Sequence, residues 1–219
     1  MWVYIIAGII LQACFILVEH QEKYVPAVIL KGLASLGFVL LGISCAKGGS
    51  FTNQVIAGLI FGMAGDILLN LRFVFEKAGK KIFLVGIFVF LIGHVLYLVA
   101  LLGRAKLWYV PVLIGAALAY FLLRWIFSKV TVGKAFKIFG IFYIGAIVLM
   151  NCAAISNLIS DPSSFTMIYA LGAALFLVSD IVLILNTFGE KSRFSLRITN
   201  LSLYYIGQIL IALSLLFLK

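Results

Sequence analysis

Charge is what this chain has least of. Only 11% of its 219 residues are Asp, Glu, Lys or Arg, and seven are acids. A soluble domain is about a quarter charged and about half apolar. Here the apolar share is 65% and the mean hydropathy is +1.24. The shortage excludes a soluble domain, and every loop is too short to hold one. Familiar catalytic signatures are missing as well. There is no Gly-x-Ser-x-Gly elbow, no His-Glu-x-x-His and no His/Cys cluster at ligand spacing. Serine-hydrolase and zinc-protease chemistries therefore find no support. Ser179 precedes Asp180, but no base stands at helical distance from it. Cys14, Cys45 and Cys152 lie in different apolar runs. An odd count without framework spacing reads as small buried hydrophobes rather than disulfides or metal ligands. No metal and no cofactor is expected.

What is present is a series of apolar runs. A spanning helix needs about 20 mostly apolar residues. Eight segments qualify, at 2–18, 26–45, 52–71, 82–103, 107–127, 136–156, 167–188 and 197–218. The expected fold is all-α: one polytopic membrane bundle over 1–219 with eight transmembrane helices. The start, Met-Trp-Val-Tyr, lacks a basic leader and a small-residue cleavage site, so the first run is read as a retained span. Trp2, Trp108, Tyr109 and Trp125 lie near span ends, where aromatic residues anchor at the interface.

The net charge of +10 invites a nucleic-acid partner, but the basic residues do not cluster on a soluble face. Odd-numbered connectors hold twelve of the 17, among them Lys77, Lys80, Lys81, Lys129 and Lys191. Even connectors and the C-terminus hold four, Lys47, Arg104, Lys106 and Lys219, and Lys31 lies inside a span. The positive-inside rule then puts the odd connectors in the cytoplasm and both termini outside. No nucleic-acid partner is expected. A multi-pass protein of the plasma membrane of a bacterial cell is.

Two spans carry a carboxylate. Gly58–Leu71 holds Asp66, and residues 172–185 hold Asp180 in the same slot. Gly58 maps on Gly172, Asp66 on Asp180, Ile67 on Ile181 and Leu69 on Leu183, all at an offset of 114 residues. The next span matches at the same offset, Gly93-His94-Val95-Leu96 falling on Gly207-Gln208-Ile209-Leu210. One offset across two segments suggests a 4+4 internal repeat with halves of about 1–105 and 106–219. Four helices per half insert both halves the same way, a parallel repeat about an axis along the membrane normal. Charge at membrane depth costs about 2.5–3.5 kcal/mol on insertion scales, so such acids are functional candidates by default.

The remaining intramembrane polar groups collect in the half nearest the odd connectors. Asp66 is expected about 5 residues from the end of span 3 and Asp180 about 8 from the end of span 7, or ~8 and ~12 Å deep. Lys31 enters at similar depth, and Asn200, Tyr204 and Gln208 step inward through the same layer. His94 and Tyr97 fall near the midplane. Gly62, Asp66 and Asn70 form one helical stripe, and Asn200, Tyr204 and Gln208 another. Gly58 and Gly62 form a small-xxx-small pair that admits a close neighbour. Each group also has a plainer reading. Lys31 either snorkels to the interface, pairs with an aspartate or binds a lipid phosphate. His94 is either a hydrogen-bonded packing residue or a proton shuttle or substrate contact. Tyr204 and Gln208 either line a cavity or join helices.

These residues resemble the YhhN family of eight-span membrane proteins, whose characterised members are lysoplasmalogenases. The resemblance rests on Gly65-Asp66-Ile67-Leu68-Leu69, on Phe83 through Tyr97, on Ser179-Asp180-Ile181-Val182-Leu183 and on Tyr204-Tyr205-Ile206-Gly207-Gln208. Where the family often has Lys-Pro in span 2, this chain has Lys31-Gly32. The resemblance implies hydrolysis of the vinyl ether bond of a lysoplasmalogen to a fatty aldehyde and a glycerophospho-base, choline or ethanolamine. The partners would be a lysophospholipid substrate and the membrane lipids.

That chemistry can be matched to the residues. Protonation of the β-carbon gives an oxocarbenium ion, which water captures as a hemiacetal. One carboxyl must be protonated, and a negative partner must steady the cation and activate water. Two acids in one low-dielectric cavity suit this, as they suit two-carboxylate glycosidases. Asp66 and Asp180 are the expected pair, with neither assigned as acid or base. His94 and Tyr97 would orient water or the glycerol hydroxyl, and Lys31 would meet the phosphate. Asn70, Asn200, Tyr204 and Gln208 would line the cleft, with the alkenyl tail running toward the bilayer centre and the site opening toward the cytoplasmic half. The rival classes are a proton-coupled small-molecule or lipid transporter, which also uses paired intramembrane acids, and a non-catalytic lipid-binding protein.

Overall fold

The structure is a computed structural model and describes residues 1–218. Lys219, counted above on the sparsely charged side, lies outside them. Eight helices run in chain order: α1 Trp2–His20, α2 Tyr24–Cys45, α3 Ser50–Val74, α4 Gly79–Leu102, α5 Tyr109–Lys129, α6 Lys134–Ser160, α7 Ser164–Phe188 and α8 Phe194–Ser214. Single 3₁₀ turns lead into α4 and follow α8. No strand occurs among the described residues. All eight helices are long and apolar enough to cross a membrane, and the chain is a multi-pass, all-α membrane bundle.

Local chemistry sets where the helices begin. Pro26 and Pro111 each stand in a first turn, and Pro162 lies just before α7. There the missing N–H has no partner to lose. Ser163 caps α7, accepting from the Thr166 N–H while the Thr166 hydroxyl accepts from the Ser163 N–H. The tight link from α2 to α3 needs φ of +83° at Gly48 and +94° at Gly49, conformations glycine adopts without strain.

Two helices run three or more residues past their expected ends. α6 continues to Ser160, and Asn157 in this added turn donates to the Leu101 carbonyl at the end of α4. α3 continues to Val74, three residues past the expected end. Both aspartates therefore sit eight residues before the last residue of their helices, about 12 Å deep at 1.5 Å per residue. The unequal depths expected from sequence become equal.

Side chains such as Ile9, Ile10, Leu113, Phe121 and Ile159 point outward from the bundle, as lipid contact allows. Inside, α3 packs on α4 and α7 on α8, and across the bundle α4 meets α6 while α8 meets α2. The two hairpins use the same contacts. A Cβ added at Gly93 would lie 3.1 Å from the Gly58 carbonyl oxygen, and one at Gly207 would lie 2.9 Å from that of Gly172. Gly93 also faces the Gly62 nitrogen and Gly207 the Phe176 nitrogen. Tyr97 covers Gly58 and Ile211 covers Gly172. Each of these pairs is its counterpart shifted by 114.

Backbone, not a movable side chain, stands against both glycines. Gly207→Val and Gly93→Val should each lower thermal stability in detergent by about 1–3 kcal/mol, the usual range for overpacking. Gly145→Ala, whose Cβ would meet nothing within 4 Å, should leave the unfolding midpoint unchanged. Equal midpoints for all three would refute the close crossing.

Candidate active site

Both carboxylates are buried, Asp66 at 5% exposure and Asp180 at 3%. They line one polar pocket between α2, α3, α4, α6, α7 and α8. Their surroundings differ. One oxygen of Asp66 accepts from the Ser35 hydroxyl on α2 and, at 2.8 Å, from the Tyr204 hydroxyl on α8. The other lies 3.4 Å from the Lys31 ammonium. Asp180 accepts from the Tyr143 hydroxyl at 2.6 Å. Its second oxygen has only the Ser179 hydroxyl, 3.5 Å away and already donating to the Phe176 carbonyl at 2.8 Å. So Asp66 holds a cation and two hydroxyls, while Asp180 has a single strong donor.

Lys31 does not snorkel. It is 1% exposed, donates to the Gln12 side-chain oxygen at 3.2 Å and lies over the Tyr204 ring at 4.7 Å. Its ammonium is occupied inside the bundle, four helices meeting around it: α1 through Gln12, α2, α3 through Asp66 and α8 through Tyr204. Among the described residues no three His, Cys, Asp or Glu side chains come together as a metal cluster.

The other expected site residues divide into two layers. Asn70, Asn200 and Tyr204 line the pocket with Lys31. Asn70 donates to the Asp66 carbonyl oxygen at 2.8 Å, and Asn200 to that of Ser179 at 3.0 Å, so each steadies the backbone at an acid. His94, Tyr97 and Gln208 do not line it. They lie deeper, each 1% exposed. Tyr97 donates to Gln208 at 3.0 Å, Gln208 reaches the Tyr204 hydroxyl at 3.5 Å, and Tyr204 continues to Asp66. His94 donates from Nδ1 to the Phe90 carbonyl oxygen at 2.8 Å. Its ring sits edge-on against Phe176, centroids 4.6 Å apart.

This packing corrects the expected path of the tail. The space toward the bilayer centre is filled by His94, Tyr97 and Phe176, all at most 1% exposed. The apolar space lies beside the acids instead, between α4, α5, α6 and α7. It shares Leu69, Phe83, Phe90, Tyr143 and Leu183 with the polar pocket and extends to Val130 and Val132 at the fifth connector. Polar pocket and apolar cavity are neighbours that share these wall residues.

Four residues of this site were not among the expected ones: Ser35, Tyr143, Arg72 and Arg197. Ser35 stands four residues from Lys31, on the same helical face, which was a usable signal. Arg72 and Arg197 were counted only as connector charge. Nothing local marks Tyr143.

With this geometry in view, comparison with known proteins is informative. The sequence profile of the YhhN family matches residues 22–215. The chain belongs to the YhhN family. The family region includes Lys31, Ser35, Asp66, Arg72, Tyr143, Asp180 and Tyr204, and leaves Gln12 and Glu19 outside it. A protein of Dictyostelium discoideum named "Lysoplasmalogenase homolog" is 23% identical to this YhhN chain over 200 residues, covering 75% of the chain and 63% of that protein. The chain thus spans under two thirds of that relative's length. No solved structure matches.

Removing one member of a buried ion pair strands the other, which costs about 3–5 kcal/mol, whereas replacing both costs far less. Lys31→Met and Asp66→Asn should each lower stability in detergent by that order. The double variant should lose clearly less than the sum. Additive losses in a thermal or denaturant titration would show that the pair contributes nothing.

Proposed function

We propose that this protein is a lysoplasmalogenase-type hydrolase that cleaves the vinyl ether bond of a lysophospholipid. The observation that carries the reading is the unlike pair of aspartates on one pocket, with an apolar cavity beside it that shares five wall residues. The family membership and the name of the Dictyostelium relative support it. The charge bias of the connectors supports an orientation in which this pocket faces the cytoplasmic half.

The difference between the acids supports a division of labour. Asp66, held by an ammonium and two hydroxyls, has the surroundings of a carboxylate. Asp180, with no cation beside it, has those of a carboxylic acid. In the proposed reaction Asp180 gives its proton to the β-carbon of the alkenyl group, and the double-bond electrons form the new C–H bond. The oxocarbenium ion at the α-carbon is steadied by Asp66, which takes a proton from the attacking water. In the resulting hemiacetal the bond to the glycerol oxygen breaks. That oxygen takes the proton from Asp66, and the hemiacetal hydroxyl returns one to Asp180. Aldehyde and glycerophospho-base leave with both acids restored. Tyr143 holds Asp180 in place, and Tyr204 and Ser35 do so for Asp66. The relay through Gln208 and Tyr97 fixes Tyr204. The alkenyl tail occupies the apolar cavity.

The rival transport reading draws no support from α3 and α7, which run unbroken through both acids.

Purified protein should release aldehyde from a lysoplasmalogen and none from its saturated-ether analogue. Loss of a general acid or base typically costs 10²–10⁴-fold, so Asp180→Asn and the folded fraction of Asp66→Asn, destabilised as described above, should each fall in rate by about that much. In D₂O the aldehyde should carry one deuterium on the carbon next to the carbonyl. Near-normal rates in either variant, or no deuterium there, would remove the mechanism.

Gly140 provides a separate test of the tail path. It lines the apolar cavity with Phe136, Tyr143 and Ile144 on one face of α6, and an added Cβ would meet nothing within 4 Å. Gly140→Leu should therefore fold and should shift preference toward shorter alkenyl chains. An unchanged chain-length profile would place the tail elsewhere.

A further inference from the structure

Three cations line the polar pocket: Lys31, Arg72 and Arg197. Two are matched by carboxylates. Lys31 faces Asp66. Arg197 forms a two-pronged pair with Glu19 on α1, at 2.6 and 3.1 Å. The third is different. Among the described residues the Arg72 guanidinium makes no hydrogen bond and no ion pair, and its Nε is buried without a partner. What holds it is aromatic. Its guanidinium carbon lies 4.1 Å from the centre of the Phe83 ring and 4.5 Å from that of Phe73.

Stacking of this kind fixes the plane of a guanidinium while leaving its N–H edge free. A planar fork of donors with no anion is a site for a bidentate oxyanion. The charge arithmetic points to the ligand class. The Arg72 guanidinium pairs with neither carboxylate of the pocket, and a phosphodiester carries the one negative charge that would match it. The spacing agrees with it. Arg72 stands six residues beyond Asp66 on α3, a rise of about 9 Å. The glycerol path from an sn-1 ether oxygen to the phosphorus of a lysophospholipid covers five bonds, roughly 6 Å, and a hydrogen bond spans the remainder.

We propose that Arg72 is the anion-binding residue of this pocket and grips the phosphodiester of the lysophospholipid, the role first expected of Lys31. Arg197, already paired, sits beside it as a secondary cation. The proposal rests on the lipid-substrate reading but not on cleavage, so it can be tested by binding alone.

The test uses the full chain in nanodiscs with two uncleavable ligands. These are a saturated-ether lysophosphatidylcholine and the phosphate-free 1-O-alkylglycerol of the same chain length. Arg72→Gln should weaken the first by tenfold or more and leave the second unchanged. Arg72→Lys, which keeps charge but loses the fork and the stacking, should fall between. It carries the test if the Gln variant does not fold. Equal weakening of both ligands, or of neither, overturns the assignment. Inorganic phosphate serves as the competitor. Weak displacement at millimolar concentration is expected, whereas full displacement would assign the site to free phosphate and overturn the lipid reading of Arg72. Wild type that binds the phospholipid analogue with this selectivity but cleaves no vinyl ether would sink the hydrolase and leave the anion site standing.

Discussion

The ion pair between Lys31 and Asp66 is the constraint on which the rest of the bundle turns. Neither charge is tolerable alone at that depth, so the partners hold each other against a penalty of several kcal/mol. Because they come from α2 and α3, the pair fixes the approach of those helices. Gln12 ties α1 to the same ammonium, and Tyr204 ties α8 to the same carboxylate. The pocket wall formed by α2, α3 and α8 is thus built around a charge, and the opposite wall, which carries Asp180, has none. A polar pocket whose two acids face such different partners is what acid–base chemistry needs. It also gives a reason for Lys31 inside a span where leucine would serve packing better.

Much of the architecture could be read before any coordinates were seen, because the bilayer restricts the choices. A backbone that cannot find water must be helical, so counting apolar runs counts the spans. The rarity of charge made Asp66, Asp180 and Lys31 conspicuous for the same reason. Depth was harder. Treating Arg72 as the start of a connector cut α3 short, when in fact its side chain lies back over Phe83 and the helix continues beneath it. That His94, Tyr97 and Gln208 do not line the pocket was hidden for a related reason. Helical periodicity gives the face of a residue but not what stands in front of it, and here Phe90, Phe176 and Tyr204 do. Tyr143 is the clearest case of what sequence could not show. Among nine tyrosines, only the crossing of α6 against α7 selects it.

The apolar cavity follows from the same crossing. α3 and α4, and α7 and α8, close on one another at glycines, leaving no room between partners. Where α4, α6 and α7 meet, the contacts are made by large rings, Phe83, Phe136 and Phe188. Rings of that size pack edge to face or tilted and leave gaps that small residues would close. A gap therefore remains where the close-packing motif is absent, and Tyr143, apolar along its ring and polar at its tip, lines both it and the polar pocket.

The shift of 114 residues explains both the likeness of the two acids and their difference. Asp66 and Asp180 hold equivalent places in hairpins whose glycine crossings match contact for contact. The position that contributes Tyr204 to Asp66 is occupied in the first hairpin by Phe90. Phe90 lines the same pocket but has no hydroxyl to offer. α2 supplies Lys31 and Ser35 to the first acid, and α6 supplies only Tyr143 to the second. Two matching hairpins bring the carboxyls to the same distance from their helix ends, and a few unmatched residues give one of them a cation. Symmetry by itself would have produced two equal acids competing for one proton. The departures from it, at Phe90 against Tyr204 and at α2 against α6, give the two acids unlike surroundings.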